Sequence, residues 1–212
     1  MKRLVVAISL LYFLIPASKG QDMKTLFTNI PDTHIPQLET AWRKDLIDLF
    51  LSGKEALLQN TMNGSSKLLN LTEDYLQLQA TERTTIEIKR LPLINNTYII
   101  CMATTLEGPA PDSRIQFFTT DWQPLEANGL FTPVPTSWFI KEGVDTESNA
   151  FKDAMSSLDM DLIQYTLSPD NQNLTATYTT PLYLSRDERA KVTAYLKDTP
   201  KVYVWEKSFF SR

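Results

Sequence analysis

From Tyr75 to Leu91 apolar and polar residues alternate, and no other feature constrains the fold so strongly. In YLQLQ, Leu76 and Leu78 alternate with Gln77 and Gln79; in TTIEIKRL, Ile86 and Ile88 alternate with Glu87 and Lys89. A period of two belongs to a strand, whose successive side chains point to opposite faces. Both segments therefore read as strands with one apolar face and one face in water. TYIICMATTL, residues 97–106, is apolar on both faces, as a central strand is. RIQFFTTDW, residues 114–122, pairs with it across the turn EGPAPDS.

Helical spacing frames these strands. Leu38, Trp42, Leu46, Leu49 and Phe50 recur at steps of three and four, with Arg43, Lys44, Asp45 and Asp48 on the other side. That predicts an amphipathic helix over 36–52, with Pro36 in its first turn, Gly53 at its end and Trp42 as a core anchor. Residues 123–146, rich in Pro and Gly yet carrying LFTPVPTSWFI, read as an irregular connector lying against the core, with Trp138 and Phe139 as its contacts. Then come a short helix marked by Phe151, Met155 and Leu158, and strands over 161–167 and 173–179. A capping box at Ser185 and Glu188 opens a helix, and KVYVWEK closes the chain as a strand. This ordering predicts an α+β fold, an antiparallel sheet of hairpins with helices packed on one face. Asp74-Tyr-Leu-Gln-Leu and Asp161-Leu-Ile-Gln-Tyr echo one another, which suggests two similar helix-plus-sheet halves, 21–122 and 147–212, in one compact unit.

Residues 1–20 have the form of a cleaved secretory signal: basic Lys2 and Arg3, an apolar run from Leu4 to Ile15, and small Ser18 and Gly20 before a cut at Gln21. The run is shorter than the ~20 residues a spanning helix needs, so no transmembrane segment is expected after cleavage. Cleavage removes three basic residues and no acidic ones, leaving 18 Lys and Arg against 25 Asp and Glu, a formal charge of −7. An acidic chain without a basic stripe gives no footing for nucleic acid. The lone Cys101 precludes an internal disulfide and, between Ile100 and Met102, reads as a buried small hydrophobe. N-x-S/T sequons occur at Asn63, Asn70, Asn95 and Asn173. A secreted animal domain of this size usually carries disulfides, so the absence of any favours a bacterial periplasm.

Familiar catalytic constellations are missing. The one histidine, His34, stands beside Asp32 in a proline-flanked segment with no nucleophile elbow, so no catalytic residue is assigned. One His and one Cys in separate elements do not make a zinc set. Asp159 and Asp161 lack the spacing of a calcium loop. No phosphate or dinucleotide loop is present, so no metal and no cofactor are expected. The 107–122 hairpin remains. Asp112 and Ser113 can tighten the turn between Pro109, Pro111 and the strand, and chain reversal is their first reading. As a binding loop it would present Asp112, Ser113, Arg114 and Trp122 to a ligand.

Thr105 to Glu107, Gly108-Pro109, Asp112-Ser113-Arg114, Phe117-Phe118 and Trp122 resemble the signature of an uncharacterised secreted family of Bacteroidales, a domain of unknown function. The resemblance implies a Gram-negative envelope location, periplasmic or secreted, and carries no activity. The expected function is a non-enzymatic module that binds protein, peptide or glycan, with strand aromatics such as Tyr165, Tyr178, Tyr203 and Trp205 as either contacts or core. The alternatives are a carboxylate-based glycan hydrolase, which needs a cleft with two acids, and a periplasmic inhibitor or chaperone presenting an open sheet.

Overall fold

A computed structural model describes residues 21–211; the expected signal segment, 1–20, lies outside the described residues. Seven antiparallel strands lie side by side in chain order: β1 (Leu57–Gln59), β2 (Ser65–Leu71), β3 (Tyr75–Thr81), β4 (Thr84–Pro92), β5 (Tyr98–Leu106), β6 (Asp112–Thr119) and β7 (Pro124–Leu125). Every connection within this sheet is a hairpin, so neighbours in sequence become neighbours in space. A second antiparallel sheet runs in the order β11 (Phe210–Ser211), β10 (Lys201–Trp205), β9 (Asn173–Tyr178), β8 (Ile163–Leu167). Among the described residues four α-helices complete the α+β fold: α1 (Met23–Thr28), α2 (Thr40–Leu51), α3 (Asn149–Met155) and α4 (Arg186–Thr193).

The period of two sorts the side chains of the large sheet into two cores. Leu76, Leu78, Ile86, Ile88, Ile100, Met102 and Phe118 pack with Leu26, Phe27, Leu46 and Ile47 of α1 and α2. On the opposite face Tyr75, Leu91, Ile99, Cys101 and Phe117 pack with Tyr165, Leu167, Leu174, Tyr203, Trp205 and Phe210 of the small sheet. Each such side chain contributes roughly 1.5–3 kcal/mol by leaving water, so this dense apolar packing can hold a chain that has no disulfide. The 123–146 segment joins the second core through Phe131, Val134 and Phe139. Trp138 is half-buried there, on a 3-10 turn over Thr136–Phe139.

The second covering layer overturns one expectation. Glu87 and Lys89 do not sit on a wet face; they are 4% and 1% exposed. Alternation reports that a strand has two unlike faces, and cannot report that the polar one is later covered. The buried charges are partnered: Lys89 Nζ lies 3.1 Å from an Asp74 carboxylate oxygen and donates to Pro169 O at 3.2 Å.

The first long helix also differs from its predicted bounds. It starts at Thr40, because Pro36 and Gln37 lie in a turn whose ends, Ile35 and Leu38, are themselves buried. Arg43, assigned to the polar side, is buried. Its guanidinium donates to Leu38 O at 2.9 Å, Thr40 Oγ1 at 2.9 Å and Asp32 Oδ1 at 3.1 Å, clamping the 32–40 segment onto the helix. Trp42 is only half-buried. Sequence reasoning missed α1, although Asp22 caps it by accepting from Thr25 N at 2.8 Å, and Met23, Leu26 and Phe27 carry helical spacing. By contrast, the Ser185–Glu188 capping box forms as expected at the start of α4.

Candidate functional site

The β5–β6 hairpin is the best candidate because its two faces do different work. Along an antiparallel edge, every second residue points its N–H away from the sheet. On β8 these are Ile163, Tyr165 and Leu167, and their edge is laid against the large sheet without pairing to a further strand. A buried donor without an acceptor is costly. Here Asp112 Oδ1 accepts from Ile163 N at 3.1 Å, Ser113 Oγ from Tyr165 N at 3.0 Å, and Glu87 Oε2 from Leu167 N at 3.0 Å. Ser113 Oγ also shares a hydrogen bond with Thr105 Oγ1 at 2.8 Å, directly across the strand pair. Asp112 and Ser113 are therefore inter-sheet fasteners.

Glu87 belongs to the same seam. Burial pushes its pKa up, while the bonds it accepts from Tyr75 Oη at 2.7 Å and from Leu167 N pull the other way. Tyr75 and Cys101 are shifted up by the same burial, so Cys101 is a poor thiolate and an unreactive core residue. Glu87 is 4% exposed and enclosed between two sheets, bonded to Tyr75 and Leu167, which is the wrong setting for a hydrolase acid.

Arg114 follows Ser113 and so points to the opposite face. It is exposed and makes no hydrogen bond or ion pair among the described residues. Here the sheet is not fully covered by α1 and α2. Met102, Thr104, Leu106, Arg114 and Gln116, with His34 and Thr33 at the rim and Asp112 and Ser113 at the strand end, line a hollow of about 360 Å³. Leu106 is 61% exposed within it. The hollow thus combines the Arg114 guanidinium, the exposed Leu106 side chain, several neutral hydrogen-bonding groups and, at the strand end, the Asp112 carboxylate already engaged with Ile163 N.

His34 was set aside from the sequence and is brought to this rim by the Arg43 clamp. Its ring stands edge-on to Phe118, centroids 4.8 Å apart, and desolvation lowers its pKa below the ordinary 6.5. Asp32 faces Arg43 and does not orient His34, so no acid–imidazole–hydroxyl relay is assembled.

Trp122, the fourth residue of the predicted loop site, is elsewhere. It occupies a left-handed conformation at φ 61° in a turn beyond β6, is buried, and donates from Nε1 to Leu26 O at 3.1 Å. Its ring packs on Phe118 at 5.3 Å, so it fastens α1 to the sheet and has no face for a ligand. Tyr165, Tyr203 and Trp205 are likewise core residues, and Tyr178 stacks on Phe139. Asp159 accepts a hydrogen bond from Tyr183. Among the described residues no group of three or more His, Cys, Asp or Glu could hold a metal ion, and no helix is long and apolar enough to cross a membrane.

A family described as "protein of unknown function (DUF3256)" matches residues 15–210. Among solved structures the chain is similar to a domain of an uncharacterized protein from Porphyromonas gingivalis W83. Identity is 26%, the TM-score is 0.79, and the match covers 88% of this chain and 96% of that one. No curated protein matches the chain.

Proposed function

Starting from the DUF3256 family, to which the chain belongs, we propose that it is an exported, non-enzymatic binding module of the Gram-negative envelope. Its ligand seat is the hollow over β5 and β6, and the ligand is an acidic peptide or glycan. One observation carries this reading: Arg114 projects from a rigid strand into a hollow edged by exposed Leu106, and its guanidinium makes no ion pair among the described residues, Asp112 at the strand end being engaged with Ile163 N. A guanidinium offers a planar fork of donors that matches a carboxylate, and Leu106, 61% exposed, offers apolar surface beside it. Export is supported by the basic, apolar and small-residue order of residues 2–20.

The test is an array of carboxylate-bearing peptides and uronic-acid glycans probed with the wild-type chain and with Arg114→Ala. Retention by the wild type of ligands that the variant loses, with no release of reducing ends, supports the reading. Equal retention by both chains overturns the seat, and release of reducing ends turns the assignment to a hydrolase. Mass measurement of protein recovered from cells should give an N-terminus at Gln21; a chain still carrying residues 1–20 overturns export by cleavage.

A further inference from the structure

Lysine placement reveals a second charged feature on a different part of the molecule. Lys197, just beyond α4, and Lys201, the first residue of β10, both direct their ammonium groups at the Trp138 ring, 4.4 and 5.6 Å from its centroid. Lys201 Nζ is also 5.6 Å from the Tyr203 centroid. Two segments distant in sequence thus converge on one indole. The arrangement is held by the Ile140–Leu196 bridge, in which Lys197 N donates to Phe139 O at 2.7 Å.

Both lysines are half-buried, and this sets them apart. The other lysines that are not fully exposed have acids: Lys67 with Glu55 and Lys89 with Asp74. Lys197 and Lys201 have no carboxylate within ion-pair reach and no side-chain hydrogen bond among the described residues. An aromatic face attracts an ammonium, yet it accepts none of the three N–H donors each carries in the directional way an oxygen does. Two like charges therefore lie near one ring without a carboxylate partner among the described residues, on a chain of net charge −4.

We propose that Lys197 and Lys201, seated on Trp138, form a binding site for a tetrahedral oxyanion, a phosphate or sulfate group. Ammonium groups act as compact point charges and suit such an anion, whereas the forked Arg114 suits a planar carboxylate. The anion bridges the two ammonium groups and relieves their mutual repulsion. It can arrive free or as an ester on a glycan or lipid headgroup, since the ammonium pair reads only the charged group.

The test uses tryptophan fluorescence of the full chain during titration with inorganic phosphate and sulfate. Parallel arms use dextran sulfate and vesicles containing phosphatidic acid. Lys197→Met and Lys201→Met keep the apolar stems over Trp138 and remove the charges. Each should weaken binding of whichever probe is active at least tenfold, and the pair should abolish it, while the exposed Lys191→Met leaves it unchanged. A response to the inorganic anions assigns a free ion; a response confined to dextran sulfate assigns a glycan ester, and one confined to vesicles a lipid headgroup. Binding that survives the double Met variant, or no response to any of the four probes at millimolar anion, overturns the site. Trp138→Phe keeps an aromatic seat for both ammonium groups and should retain binding with the fluorescence change reduced, which ties the signal to this ring.

Discussion

The two sheets obey the same side-chain alternation and end in different environments. In the small sheet only one face is covered: Leu174, Ala176 and Tyr203 turn inward, while Val202 and Val204 are 46% and 45% exposed on the outer face beside Thr175 and Thr177. In the large sheet both faces of β3 to β6 are covered except at the Leu106–Arg114 end, by α1 and α2 on one side and by the small sheet on the other. The same apolar–polar pattern thus yields a solvated polar face in one sheet and a buried one holding Glu87, Lys89 and Ser113 in the other. Polar residues on a strand that becomes covered do not have to be neutral ornaments of the surface. Here they become the acceptors for a strand edge.

The largest effect should come from the shared core. Phe117→Ala removes a fully buried ring between the sheets, and a loss of about 3–5 kcal/mol is expected by urea denaturation, typical of large-to-small changes in packed cores. The corresponding change on the open face, Val202→Thr with Val204→Thr, should cost under about 0.5 kcal/mol per site, as surface substitutions do. Similar losses at both places would end the contrast between a doubly and a singly covered sheet.

Next in size is the seam. Glu87→Ala strips the acceptor from Leu167 N and Tyr75 Oη and should cost about 1–3 kcal/mol, the penalty for stranding a buried donor. Glu87→Gln keeps an acceptor and should cost less. The pair also predicts a pH dependence. Burial raises the folded pKa of Glu87 above its unfolded value, so the folded state binds more protons in the window between the two values. Stability contributed at this position therefore falls as pH rises through that window and is regained on acidification. The wild-type chain should gain thermal stability relative to Glu87→Gln as pH drops from neutral into that window; a difference independent of pH would mean that the carboxylate is not desolvated by the second sheet.

Trp122→Phe should cost about 1 kcal/mol, the usual value of one hydrogen bond, by losing the bond to Leu26 O; Arg114→Ala, without a partner, should be neutral in the same melts. A destabilising Arg114→Ala would show that the guanidinium has a structural duty. The smallest effect concerns His34. Its folded pKa is below 6.5 through desolvation alone, so an NMR titration should give a midpoint under that value. Its slight contribution to stability should be full above 6.5 and fade as pH falls through the folded value.

Much was legible from local pattern. Hairpin strands, the interior position of the 97–106 strand, a short helix carrying Phe151 and Met155 (though ending before Leu158), the helix opened by Ser185 and the burial of Cys101 follow from alternation, a capping box and apolar runs, all of which act over a few residues. The four proposed ligand residues fared unequally for a reason of the same kind. The turn chemistry that singled out residues 112–114 could not say that Asp112 and Ser113 face β8, that Arg114 faces the open hollow, or that Trp122 reaches back to α1. Arg43 likewise fell on the polar side by periodicity, because the buried carbonyl it serves, Leu38 O, is created only when the preceding turn folds over it.

By itself the amino-acid order determined the fold class and the strands, because backbone propensity and side-chain period are properties of neighbouring residues. Only tertiary structure decided which polar side chains became fasteners and which stayed free, because burial and hydrogen-bond satisfaction depend on segments 50 to 100 residues away, such as β8 over Glu87 and Ser113 or Trp122 against Leu26.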